Sequence, residues 1–180
     1  MPIAGWTNCA TPARRSLPLA SPWAVPWPLH LGATRGDDLA GIGAINAPLM
    51  RMPNREALAR DTGPGARVKV PWTDPRVITK RLDVALLSYP EIPTHCLREA
   101  SALYAQVEAE LSRVQVATRL FSSRDDVIVS PANGQFILER LAAPDKRLIE
   151  LTESAHEATL DFDLERIGLE WLGFIREHGG

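Results

Sequence analysis

Residues 122–131 read SSRDDVIVSP, and this stretch decides how the chain folds. The run before it, VQVATRLFSS at 114–123, is largely apolar and carries β-branched residues, which predicts a buried strand. After it, Ser130 as N-cap and Pro131 in the first helical position begin the helical pattern PANGQFILERLA. Two aspartates therefore stand between the end of a strand and the start of a helix.

A second strand with a histidine behind it is predicted further along the chain. KRLIELTES, residues 146–154, alternates between two faces, with Ile149 and Leu151 on one and their neighbours on the other. His156 lies just past the end of this strand. An acid and a histidine are thus each expected at the carboxyl end of a strand in an open α/β sheet, where such sheets hold their functional groups.

This arrangement resembles the second half of an α/β-hydrolase, whose triad runs Ser, then Asp or Glu, then His along the chain. The sequence around these two residues is most similar to that of bacterial carboxylesterases and monoacylglycerol lipases, which read like S-R-x-D-x-x-V-x-P around the acid and E-x-S-x-H around the histidine. The resemblance implies that the catalytic acid is Asp126 and the catalytic histidine His156. Asp125 is the competing acid, and the distance to Val129 and Pro131 favours Asp126. The alternative is that both acids only cap a loop and that His156 is an ordinary surface histidine.

The resemblance covers residues 29–179 and implies the fold class. We expect an α/β protein, the C-terminal part of an α/β-hydrolase fold, in which parallel strands have flanking helices and the N-terminal strands are missing. Residues 39–47, LAGIGAINA, are expected to form a buried parallel strand. The domain organisation is then a partial hydrolase domain at 29–180 with a helical lid insertion at about 48–113.

The resemblance implies that the insertion covers the active site and shapes an acyl pocket. One segment of it is helical, because apolar residues from Leu97 to Leu111 recur at steps of three and four; a plain core-packing helix is the other interpretation of this face. His95 and Cys96 are neighbours without an orienting acid, which favours a structural role for both. The residues expected to line the pocket are Leu49, Met50, Met52, Leu86, Leu87 and Ile92.

Residues 1–28 differ from the rest of the chain. They hold three of the five tryptophans and six of the fifteen prolines, and they show neither helical nor strand periodicity. We expect this segment to be irregular. The pair Arg14 and Arg15 can also be interpreted as a twin-arginine export signal.

The resemblance requires a nucleophile elbow, G-x-S-x-G, directly before residue 29, and this reading frame contains none there. Each codon can be regrouped as the last base of one residue with the first two bases of the next. The pair Trp23 and Ala24 then forces Gly, and the free third bases around it permit G-L-S-M-G-G-A-L-A. We therefore hypothesise that residues up to about Pro28 are read out of frame and that Pro22 occupies the place of the nucleophilic serine. An aspartate nucleophile, as in haloalkane dehalogenases and epoxide hydrolases, is not permitted, because the last two bases of that codon must be CC.

The activity implied by the resemblance is hydrolysis of a carboxylic ester, a short or medium acyl ester or a monoacylglycerol, by a Ser-His-Asp mechanism. Because the serine is absent, we expect little or no esterase activity from the chain as written. The alternative is a non-catalytic half-domain that acts as a binding or structural module. In either case the strand at 39–47 is expected to lie at an open, aggregation-prone sheet edge.

The composition bears on the number of domains, the partners and the location of the protein. The chain has 180 residues, which suits one domain, and its net charge of -2 without a basic stripe argues against nucleic acid as a partner. Cys9 and Cys96 are isolated thiols, which indicates a reducing compartment and a cytoplasmic location. The sequence has no apolar run of membrane-spanning length, and neither a cofactor nor a metal is expected.

Overall fold

The computed structural model describes residues 16–20, 26–50, 63, 65–69, 75–84 and 89–179. Strands and helices alternate along most of this part of the chain, as an α/β fold requires. In chain order the elements are β1 Leu19–Ala20, α1 Pro26–Arg35, β2 Ile42–Ile45, β3 Arg67–Lys69, α2 Pro75–Ile78, β4 Glu91–Pro93, α3 Thr94–Glu110, β5 Thr118–Ser123, α4 Ala132–Arg140, β6 Lys146–Leu151 and α5 Leu164–His178.

The main sheet has the strand order β1-β2-β5-β6, and each neighbouring pair is parallel. Its register aligns Ala44 of β2 with Leu120 of β5, and Leu120 in turn with Leu148 of β6. Parallel neighbours need crossover connections, and helices α1 and α4 lie in the connections from β1 to β2 and from β5 to β6. The predicted fold class, a parallel sheet with flanking helices, is confirmed.

Two apolar clusters cover the two faces of this sheet. One joins Ile42 and Leu120 of the sheet with residues of α1, α3 and α4. The other contains Ile149 and Leu151 of β6 and Ile167 of α5. The predicted alternation in β6 is therefore observed, and removal of these side chains from water supplies the main favourable term for folding.

Helix α5 packs very closely on β2. A Cβ atom added at Gly43 would lie 2.5 Å from the Trp171 ring and 2.6 Å from the Leu19 side chain. Real Cβ atoms do not come this near to other carbons, so the close contact of α5, β1 and β2 requires a residue without a side chain here.

The long connection between β2 and β5, which we call the insertion, contains strands β3 and β4 and helices α2 and α3. Strands β3 and β4 pair antiparallel, with Val68 opposite Ile92. Val107 of α3 and Leu111 just after it belong to the same core cluster as β2. The apolar face predicted for this helix thus packs on the domain core, as the simpler interpretation of the pattern expects.

Two expectations about local structure need correction. Residues 1–28 are not irregular throughout, because Leu19–Ala20 pair with Gly43 and Ala44 of β2 and α1 begins at Pro26. For the same reason β2 is not an open edge; β1 covers one side of it and β5 the other. A strand as short as β1 carries no periodicity, and its pairing with β2 determines its conformation.

Two element boundaries also differ from the prediction. The strand expected at 114–123 begins only at Thr118, since a 3-10 turn at Leu111–Arg113 precedes it. Helix α4 begins at Ala132, one residue later than the Ser-Pro signal predicts. None of the helices in the described part of the chain combines the length and the apolar character that crossing a membrane requires.

Candidate active site

The Asp126 carboxylate is fixed by the turn that follows β5. Its Oδ1 accepts hydrogen bonds from the backbone N–H groups of Ile128 (2.8 Å) and Val129 (2.9 Å). These bonds hold the carboxylate plane in one orientation and leave Oδ2 directed to the neighbouring loop. The turn thus supplies part of the hydrogen bonding that a buried carboxylate needs.

His156 meets this carboxylate from the loop after β6. Its Nδ1 lies 2.8 Å from Oδ2 of Asp126, and the two side chains are only 3% and 1% exposed. The contact forms because β5 and β6 are parallel neighbours, so the loops after them leave the sheet at the same edge. The structure therefore brings together the two residues that the sequence motifs single out, and it places His156 in the interior, not on the surface.

Asp125 has a different environment. Its carboxylate lies at the surface, where it pairs with Lys80 Nζ at 2.7 Å and with Arg124 Nε at 3.4 Å. The hydrogen bond from Lys80, assisted by Arg124, holds the pKa of the Asp125 carboxyl below its usual value. The two acids are therefore separated by the turn: one contacts the histidine and the other contacts the insertion.

A set of hydrogen bonds from backbone N–H groups fixes the loop that carries His156. Oδ2 of Asp161 accepts from the backbone N–H groups of both Ala155 (2.9 Å) and Lys80 (2.8 Å). The backbone N–H of Glu157 donates to the Ile78 carbonyl at 2.8 Å. The histidine loop is thus tied to residues 78–80 of the insertion on two sides.

Sequence reasoning did not identify Asp161 or its neighbour Asp163. Both carboxylates are buried, and Asp163 Oδ2 accepts from the backbone N–H of Glu153 at 2.9 Å. Two aspartates just before an amphipathic helix resemble ordinary helix-start residues, so their sequence pattern alone does not distinguish them.

Described elements lie on both sides of the position expected for the nucleophile. Pro22 and Trp23 themselves lie outside the described residues, but β1 ends at Ala20 and α1 begins at Pro26. A nucleophile elbow is a sharp turn from a strand into a helix. The order of β1 followed by α1 is the order that flanks such an elbow, and β1 is separated from β5 only by β2.

The residues expected to line an acyl pocket lie in different parts of the chain's structure or outside the described residues. Leu49 packs in the core cluster that contains β2, and Ile92 contacts the small cluster around Ile78. Met50 is half-buried, while Met52, Leu86 and Leu87 lie outside the described residues. His95 and Cys96 are exposed neighbours with Nε2 and Sγ 3.6 Å apart. Among the described side chains, no group of three or more His, Cys, Asp or Glu is arranged to hold a metal ion.

Comparison with known proteins finds that this chain is similar to lipolytic enzymes. The chain is 35% identical over 101 residues to a thermostable monoacylglycerol lipase of Bacillus sp. (strain H-257), a match that covers 56% of this chain and 40% of that protein. A solved structure described under LipS and LipT, two metagenome-derived lipolytic enzymes, superposes with a TM-score of 0.82 at 31% identity, covering 90% of this chain and 65% of that one. No family model matches the chain.

A more distant structure has the same fold. The monoacylglycerol lipase of Paleococcus ferrophilus superposes with a TM-score of 0.72 at 20% identity, over 88% of this chain and 68% of that one. The chain thus spans 40% of the length of the lipase relative and 65% of the LipS and LipT structure. From its parallel sheet, its buried acid–histidine contact and these similarities, the chain belongs to the α/β-hydrolase superfamily, and within it the chain is similar to monoacylglycerol lipases and esterases.

Proposed function

We propose that this chain serves the hydrolysis of carboxylic esters, with His156 as general base and acid and Asp126 as the residue that orients it. The observation that carries the proposal is the 2.8 Å contact between His156 Nδ1 and Asp126 Oδ2 in a buried setting. The relatives, a monoacylglycerol lipase and lipolytic enzymes, support an ester as the substrate, and the substrate in this proposal is a short or medium acyl ester or a monoacylglycerol.

In the proposed mechanism Asp126 selects the histidine tautomer. Asp126 Oδ2 accepts a hydrogen bond from Nδ1–H of His156, so Nε2 is the nitrogen that takes the proton from a serine hydroxyl. The serine oxygen attacks the ester carbonyl, and the imidazolium then donates the proton to the departing alkoxide. The carboxylate stabilises the imidazolium without taking the proton itself. A water molecule repeats the same steps on the acyl-enzyme to release the acid.

The nucleophile in this proposal comes from the turn between β1 and α1. Pro22 has no hydroxyl group, so the chain as written supplies two of the three triad side chains. Removing one triad member lowers kcat by roughly 10⁴ or more. We therefore expect the chain as written to have little or no esterase activity, and we attribute the missing serine to the reading frame of residues up to about Pro28.

An esterase assay with two versions of the chain tests the proposal. One version is the sequence as written; in the other, residues 20–28 are replaced by GLSMGGALA. With a chromogenic short-chain ester, the second version should show turnover that a serine-directed organophosphorus inhibitor abolishes. His156→Ala in that second version is the matched control, and it should lower kcat by roughly 10³ or more.

Two results would contradict the proposal. Inhibitor-sensitive turnover by the sequence as written would mean that another residue is the nucleophile. Equal turnover with and without His156 in the folded second version would exclude this histidine as the base. The coding DNA tests the reading frame separately, since a single-base correction must produce G-x-S-x-G at this position.

A further inference from the structure

Asn46, the residue that follows β2, has an unusual backbone conformation. Its φ is +51°, in the left-handed region that residues other than Gly, Asn and Asp rarely adopt. The residue is only 3% exposed. Strained backbone of this kind persists where the surrounding structure requires it, and it is concentrated at functional sites. A purely apolar strand end would not need such a residue.

The Asn46 amide connects the ends of three strands. Its Nδ2 donates to the His156 carbonyl at 2.7 Å and to Ser123 Oγ at 3.0 Å, and a weaker contact reaches the Ala155 carbonyl at 3.5 Å. Its Oδ1 accepts from the backbone N–H of Ser123 at 2.7 Å. The left-handed backbone turns the side chain across the carboxyl edge of the sheet, so one residue of β2's end is bonded both to the end of β5 and to the loop after β6.

We propose that Asn46 is a positioning residue that sets the geometry of the Asp126–His156 pair, an inference that rests on the function proposed for that pair. Ser123 ends the strand that leads to Asp126, and the His156 carbonyl belongs to the histidine itself. By bonding both backbones, Asn46 fixes the separation of the two points from which the acid and the imidazole extend. Without this link the histidine loop can move relative to β5, and the contact between Nδ1 and Oδ2 opens more often.

Asn133 offers a matched control. It is as buried as Asn46, at 2% exposure, and it too bonds backbone groups through both amide atoms. Its Oδ1 accepts from the N–H groups of Leu49 (2.9 Å) and Met50 (2.7 Å), and its Nδ2 donates to the Ser130 carbonyl at 2.9 Å. None of these bonds touches residues 155 and 156, so the loss of Asn133 weakens the fold without removing a contact to the histidine loop.

The experiment is proton and nitrogen NMR of the full-length ¹⁵N-labelled chain, with the His156 ring signals assigned by their loss in His156→Ala. The probe is the Nδ1–H proton, which is expected at low field in a histidine bonded to a carboxylate, and its rate of exchange with water. The test variants are Asn46→Gly, which accepts the positive φ without strain, and Asn46→Asp, which keeps the shape but places an acceptor against the His156 carbonyl.

Both Asn46 variants should broaden the His156 Nδ1–H signal and speed its exchange roughly tenfold, since the two hydrogen bonds to the loop are lost in Asn46→Gly and replaced by repulsion between acceptors in Asn46→Asp. Asn133→Ala should lower the melting temperature but leave the signal and its exchange rate unchanged. Wild-type exchange in folded Asn46→Gly, or equal acceleration in Asn133→Ala, would overturn the positioning role. Absence of the low-field signal from the wild-type chain would instead overturn the proposed acid–histidine pair, and this inference with it.

Discussion

At the scale of single residues, the neighbouring acids Asp125 and Asp126 receive different roles from the turn that holds them. Asp126 is buried against His156, whereas Asp125 forms an exposed ion pair with Lys80. Exposed pairs of this kind contribute little to stability because water and salt screen them, and this one does not touch the imidazole. The identity of the residue is the same in both cases, so the difference comes entirely from which backbone groups and side chains surround it.

Substitution of each acid should separate these roles in the version of the chain with the nucleophile restored. Asp126→Asn should lower kcat by roughly 10⁴, because an amide facing Nδ1 favours the wrong tautomer of His156. Asp125→Asn should keep kcat within about a factor of two, since only an exposed pair is lost. Steady-state kinetics with a chromogenic ester measures both values. A larger loss of kcat in Asp125→Asn than in Asp126→Asn would contradict the assignment of Asp126 as the catalytic acid.

The buried carboxylate of Asp161 is expected to matter for stability. Asp161→Ala leaves the buried N–H of Ala155 and the partly buried N–H of Lys80 without their acceptor, at a cost of about 1–3 kcal/mol for the first and less for the second. Urea denaturation should therefore show a loss of about 2–5 kcal/mol in the free energy of unfolding. Asp37→Ala, at an exposed position, is the control and should change it by less than about 0.5 kcal/mol. Similar losses for both variants would contradict the anchoring of the histidine loop.

The sequence identifies some of these residues and not others for a physical reason. Asp126 and His156 occur within short motifs, so their spacing to nearby residues carries the information. Asn46 acts on His156 across 110 positions of the chain, and Asp161 acts on Lys80 across 81. Such long-range bonds to backbone groups have no local pattern, because any loop presents the same N–H and carbonyl groups.

At the scale of elements, the contact between β2 and α5 depends on Gly43. Gly43→Ala should destabilise the domain by about 1–3 kcal/mol, because the new Cβ would overlap with Trp171 and Leu19. Gly173→Ala, in α5 itself, is the matched control: its Cβ would meet no atom within 4 Å, and alanine favours a helix by about 0.8–1.0 kcal/mol. Urea denaturation should thus move in opposite directions for the two variants, and a shift of the same sign would contradict the packing described.

Elements with their own periodicity are predictable, and those defined by their neighbours are not. The alternation of β6 and the apolar face of α3 are visible in the sequence because each repeats over several residues. β1 consists of two residues, and only its pairing with Gly43 and Ala44 makes it a strand. Strand β5 likewise begins at Thr118, which pairs with the first residues of β2 and β6, although the strand propensity of Val114 and Val116 would extend the strand further.

At the scale of the whole molecule, several carboxyl groups have pKa values that folding lowers, and these shifts predict that the folded state is less stable in acid. Hydrogen bonds from Arg119 and Lys80 lower the pKa values of Asp145 and Asp125 respectively. For Glu110, burial raises the pKa, but hydrogen bonds from His30 and Gln106 and the nearby Arg113 charge outweigh it, so the net shift is also downward. Each of these groups binds protons more readily in the unfolded chain, so stability falls as pH decreases.

Glu110 provides the sharpest test, since it joins the insertion to the helix behind the proposed nucleophile. Its Oε2 lies 2.6 Å from Nδ1 of His30 in α1. Because its pKa is lowered by folding, its contribution is complete above the usual carboxyl value of 4.5 and disappears as the pH falls through the lower, folded-state value. Glu110→Gln should therefore lower the free energy of unfolding at pH 7, and the difference from wild type should shrink steadily below about pH 4.5.

Chemical denaturation at several pH values measures this difference in the free energy of unfolding. A difference that stayed constant or grew in acid would show that the carboxylate charge does not hold α1 and α3 together. Gly168→Ala, in α5, where an added Cβ would meet no atom within 4 Å, is the control and should have the same effect at every pH.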